Sequence, residues 1–160
     1  MADYFNTLDR PGALFVRRTA DHAGIASSTT VADDGVLQVS VAAGAVYVLQ
    51  AMIVYTAPAA GDIKIGWSAP SGASLTWTPC GLTTTTSATA GSIRMPAKTL
   101  ADTDIPGAVD VSTPVAALPT GLLVVGSTGG LLKLQWAQGV SDLGLTVVKA
   151  GSYLMLTRAT

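Results

Sequence analysis

Residues 121–158 read GLLVVGSTGGLLKLQWAQGVSDLGLTVVKAGSYLMLTR, and the rhythm of this stretch decides the fold class. Four apolar segments, at 122–125, 131–137, 143–148 and 153–157, are separated by polar breaks that each contain Gly. Short apolar runs at intervals of about 8–12 residues, with Gly and Ser between them, are the pattern of an antiparallel sandwich or barrel. Within 131–138, Leu132, Leu134 and Trp136 fall on one face and Lys133, Gln135 and Ala137 on the other. A helix would bring its apolar positions back at three and four residues, so this alternation specifies a strand. The other segments are apolar at both parities, which predicts a sheet covered on both sides.

Upstream the same period recurs. Strands are predicted over 14–19, 27–31 and 36–41, with Ala32-Asp33-Asp34-Gly35 as the turn between the last two, because Asp and Gly tolerate the backbone conformations of tight turns. Residues 45–56 form the longest run, with Tyr47, Leu49, Ala51, Ile53 and Tyr55 on one side and Val46, Val48, Gln50, Met52 and Val54 on the other. Near-continuous apolarity places it centrally. Residues 62–69 alternate cleanly, with Ile63, Ile65 and Trp67 inward, and 74–78 carry Trp77. From 79 to 119 the pattern weakens to Ala, Thr, Asp and Pro; only 92–95 and 109–112 look like strands, and loops of this length commonly have a function. No window shows helical periodicity with capping signals. The fold class is therefore all-β, an antiparallel β-sandwich of jelly-roll-like pattern. It comprises a single domain over 14–160, preceded by an arm, 1–13, whose Tyr4, Phe5 and Leu8 have no means of burying themselves alone.

Composition narrows the function. Apolar residues make up 49% of the 160 residues and charged residues 12%, against about 25% in an ordinary soluble domain. Nine basic and ten acidic side chains cannot densely cover the roughly 7,400 Å² that a monomer of this size exposes. Part of the surface is therefore expected to lie against other subunits. A net charge of −1 gives no electrostatic drive towards nucleic acid or an anionic membrane. No stretch approaches the ~20 apolar residues of a membrane span. The first twenty residues lack the order of a signal peptide, and a lone Cys80 fits a reducing compartment, so synthesis in a cytoplasm is expected.

The inventory of reactive groups is poor. His22 and Cys80 are the single histidine and the single cysteine, far apart in sequence, where a nucleophile and base must meet. Zinc needs clustered Cys and His ligands. Asp33-Asp34 and Asp102-Thr103-Asp104 offer oxygens but lack the spacing of a calcium loop. Every acidic residue is Asp, mostly in turn contexts, and nothing selects a catalytic pair. Trp67, Trp77 and Trp136, with Tyr47, Tyr55 and Tyr153, have the faces to stack on sugars, although their place in alternating strands favours core or interface packing. No catalytic residue, cofactor or metal is expected.

The segments VRRTAD at 16–21, SSTTVADDGVLQVSV at 27–41, VYVLQAMIVYTAPAAGDIKIGWSAPSGASLTW at 46–77 and the closing GLLVVGSTGGLLKLQWAQ to SYLMLTR resemble small structural proteins of tailed bacteriophages of actinobacteria. The closing pattern is also similar to the last strands of trimeric jelly rolls of the tumour-necrosis-factor and complement-C1q type. That resemblance implies three subunits packed about an axis, with Tyr55, Trp136 and Tyr153 as candidates for the subunit interface. Taken with the phage resemblance and the arm, the expected role is a homotrimeric decoration protein on the outside of a phage capsid, with Tyr4, Phe5 and Leu8 of the arm as its anchor on the major capsid protein. The alternative is a tail-associated module that binds a receptor or carbohydrate through the 79–119 loops and an exposed Trp.

Overall fold

In the computed structural model, which describes residues 13–87 and 90–159, the regular elements are all β-strands. The arm residues Tyr4, Phe5 and Leu8 lie outside the described residues. In chain order the strands are β1 (Leu14–Arg17), β2 (Ala32–Val41), β3 (Val46–Thr56), β4 (Ile63–Ser68) and β5 (Ser74–Thr78). Four short ones follow, β6 (Gly81–Leu82), β7 (Ile93–Arg94), β8 (Lys98–Thr99) and β9 (Val115–Ala117). The chain closes with β10 (Thr120–Val124), β11 (Gly130–Gln138), β12 (Val147–Val148) and β13 (Tyr153–Arg158).

One sheet runs β1-β13-β3-β10-β5-β8, with β12 and β9 also paired to β3; a second runs β2-β11-β4, and β6-β7 forms a small ribbon. The main pairs are antiparallel and nested: β1 with β13, β2 with β11, β3 with β10. A long ribbon folded over itself makes these pairs, which is the jelly-roll arrangement. A fully wrapped ribbon would also pair β4 with β5. Here β5 pairs with β10 instead, so one sheet is enlarged and the other stops at three strands.

The period-2 pattern supplies the core. Tyr47, Leu49, Ala51, Ile53 and Tyr55 of β3 are all buried and meet Leu132, Leu134 and Trp136 of β11, Ile63, Ile65 and Trp67 of β4, and Leu37, Val39 and Val41 of β2. β3 lies centrally, as its composition predicts, with partners along both edges. The expectation that both of its faces are covered does not hold within one chain: Val48 and Gln50 are exposed.

Other boundaries differ for local reasons. Residues 27–31 form no strand; Ser27 adopts φ 56° and its N–H bonds the carbonyl of Asp142. The expected turn at 32–35 lies inside β2 as a bulge: Asp33 sits opposite Gln135, Gln38 opposite Lys133, and Gly35 takes φ 81° to accommodate the extra residues. Residues 109–112 bend around Asp110 rather than extending, because its carboxylate accepts the N–H and hydroxyl groups of Ser112 and Thr113. Of the apolar run 143–148 only Val147–Val148 is strand.

Asp62 introduces a pH dependence. It is buried at φ 52°, with Oδ1 accepting the Ala108 N–H at 2.7 Å. Burial raises its pKa, and the Ala108 bond only partly opposes that. A carboxyl raised in the folded state binds its proton more tightly there than in the unfolded chain. Its contribution is therefore fully present below the unfolded value of about 3.9 and is lost as pH rises through the folded value. Asp62→Asn keeps the acceptor and tolerates positive φ, so it should flatten the fall in stability between about pH 4 and neutrality. Urea midpoints measured against pH test this; parallel curves for the two proteins would sink it.

Candidate functional site

The outward face of the larger sheet carries several exposed apolar side chains, and strand register defines it. Phe15, Met155, Gln50 and Thr120 form one row across β1, β13, β3 and β10. Thr157, Val48, Leu122 and Thr76 form the next, followed by Val46, Val124 and Ser74. On the other flank lie Arg17, Tyr153 and Met52. Phe15 is 56% exposed and Leu122 46%, with Val48 and Val124 close behind. The rings of Phe15 and Tyr153 lie 5.7 Å apart.

Cross-strand neighbours on one face interact, so these side chains form two apolar clusters, Phe15, Tyr153, Met155 and Met52 in one and Val46, Val48, Leu122 and Val124 in the other, which meet at Gln50. Each outward position covers about 33 Å² of sheet, from a strand spacing of about 4.8 Å and a two-residue repeat of about 6.8 Å. The apolar positions alone therefore project over roughly 260 Å², bordered by Thr, Ser and Gln. Arg17 is the one formal charge at the outward positions of β1, β13, β3 and β10, since Arg158 lies opposite the inward Tyr47.

The interface residues expected from sequence separate into two groups. Tyr153 lies on this outer face, half-buried beside Phe15. Tyr55 and Trp136 do not: they are 0% and 1% exposed, so neither side chain can meet a neighbouring subunit, and the expectation for them is corrected. The Tyr55 hydroxyl donates to the Gly107 carbonyl at 2.6 Å, and burial raises its pKa.

Trp136 belongs to a buried polar hub centred on Asp34. Arg18 Nη1 reaches both Asp34 oxygens at 2.8 Å, Trp136 Nε1 donates to Oδ2 at 3.0 Å, and the Val36 and Leu37 N–H groups donate to Oδ1. The Asp-Asp-Gly bulge thus aims one carboxylate inward, and all of its capacity is used by the fold. His22 packs edge-on against Trp136 at 4.8 Å, and its Nδ1 accepts the Gly24 N–H.

The remaining candidates are occupied by structural partners. Asp33 takes Lys133 and Gln135, which hold its pKa below the usual carboxylate range. Asp104 is buried, and its Oδ1 accepts Arg94 at 2.8 Å and Lys98 at 3.3 Å, fastening the 93–98 segment to the edge of β4, where Asp104 bridges Ile65. Among the described residues no group of three His, Cys, Asp or Glu side chains is placed to hold a metal. Trp67, Trp77 and Trp136 are all buried. Trp77 Nε1 donates to the Thr99 carbonyl, so the exposed Trp needed for stacking on a glycan is absent among them. Shallow apolar grooves flank β8, one of about 570 Å³ beside Leu75 and Leu100 and one of about 240 Å³ beside Met95 and Thr120.

No family model and no curated relative matches the chain. A solved structure of infectious bursal disease virus, Gx strain, aligns over 94% of this chain and 34% of its own, at 11% identity and a TM-score of 0.41. This chain therefore spans about a third of the length of that viral chain.

Proposed function

We propose that this protein is a virion structural component that works by contact rather than by turnover: a homotrimeric decoration protein on the outside of a phage head, bound to the major capsid protein. The observation that carries this reading is the open apolar face of the larger sheet. Leaving such a field in water is unfavourable by about 25 cal/mol per Å², so covering it against another protein surface would be favourable. The chain's ionisable groups point the same way, since Arg18 with Asp34, and Arg94 with Asp104, are paired with one another within the sandwich. Trimer formation would cover the face, and repeated contacts would clamp neighbouring shell subunits.

The measurement that tests the role is the number of copies of this chain in purified particles. Hundreds per particle are expected of a head decoration. A handful would move the protein to the tail, and complete absence would end the proposal.

A further inference from the structure

We propose that the loop at 139–145, with Val111 beside it, is a docking knob for an apolar pocket with a basic rim on another protein; its identification as the viral shell rests on the reading above. The two ends of the sandwich differ sharply. At one end the loops after β2, β4 and β10 are built from Ala42, Ala43, Gly44, Ser71, Gly72, Ser127 and Thr128. They interlock through glycines, with the Gly44 N–H bonding the Gly126 carbonyl and a Cβ on Gly126 reaching within 2.7 Å of the Gly72 oxygen. That end displays small residues and no large apolar tip. At the other end Leu143 is 91% exposed, and Val140, Val111 and Leu145 are also exposed. Val111 belongs to the same tip, since a Cβ on Gly144 would sit 3.7 Å from its Cγ1.

This display is rigid. Gln138, fully buried, donates from Nε2 to the Gly144 carbonyl and accepts the Asp142 N–H at Oε1. Asp142 Oδ1 accepts the Gly144 N–H at 2.7 Å, the Asp142 carbonyl takes the Ser27 N–H, and the Val140 N–H bonds the Gly61 carbonyl. A leucine held out on such a loop loses little freedom when it enters a pocket. The apolar tip is edged by acid. Asp142 adjoins Leu143, and Asp110 adjoins Val111 with its pKa drawn down to about 2 by the Ser112 and Thr113 hydrogen bonds. A fixed negative rim favours a Lys- or Arg-edged protein pocket and disfavours an anionic bilayer. In a cyclic trimer every copy points the same way along the axis, so three knobs would emerge together and add through avidity.

The test is add-back of purified protein to particles assembled without it, with bound chain counted after sedimentation. Leu143→Asp should lower binding about tenfold or more, as for withdrawal of one buried leucine. Ser71→Asp, at the opposite end, should bind as wild type, and Asp110→Asn should bind more weakly with a shallower salt dependence. Wild-type binding by Leu143→Asp overturns the knob and leaves the shell assignment standing, whereas failure of the wild type to bind removes both. Monomers on Leu143→Asp would reassign the loop to self-contact. Binding to phosphatidylcholine vesicles that this substitution abolishes would reassign it to a membrane.

Discussion

Asp34→Ala should lower the free energy of unfolding by about 3–5 kcal/mol, the range for removing one partner of a buried charge pair. That is a large fraction of the 5–15 kcal/mol by which a domain is ordinarily stable. The substitution leaves the Arg18 guanidinium without its carboxylate and Trp136 Nε1 without an acceptor, and it strips the Val36 and Leu37 amides at the β2 bulge. Arg18→Met should cost less, since Asp34 keeps three N–H donors. Urea denaturation of both variants provides the comparison. Equal losses would mean that Asp34 is not the hub, and a loss under about 1 kcal/mol, the scale of an exposed pair, would mean that the cluster contributes little.

Leu122→Asp should convert the proposed trimer to monomers, a threefold fall in mass by light scattering, while the monomer keeps its β-sheet circular dichroism and unfolds cooperatively in urea. Leu122 faces outward between Val48 and Thr76 and is nearly half exposed in the single chain. A carboxylate there is hydrated in the monomer but would be desolvated, near two like charges, in the assembly. Phe15→Ser at the edge of the field should weaken association less, because rim positions contribute less than central ones. A wild-type protein that is monomeric at working concentration, or an oligomer that survives Leu122→Asp, would remove this face from the proposal.

Much of the sandwich was legible because a strand announces itself by alternation. The inward sets of β3, β4 and β11 appear residue by residue in the sequence, as does the central position of β3. The bulge at Asp33-Asp34-Gly35 was not legible, since the same residues serve equally in a hairpin turn. What distinguishes the two is a set of partners remote in sequence: Asp34 meets Arg18 and Trp136. Leu143 likewise looked like strand interior, and only the hydrogen bonds of Gln138 and Asp142 show a turn that projects it outward.

By itself, then, the amino-acid order determined that this chain is all-β, which side chains share a face, and that too few charges are available to clothe an ordinary exterior. Tertiary structure alone decided which of two apolar faces is covered, placing Tyr55 and Trp136 inside and leaving Phe15, Val48 and Leu122 open. It also decided that β5 joins β10 rather than β4. The physical reason is that a period of two reports parity along one strand, whereas burial depends on what packs across from it, and those contacts join segments remote in sequence, such as Asp34 with Trp136 and Leu14 with Leu156.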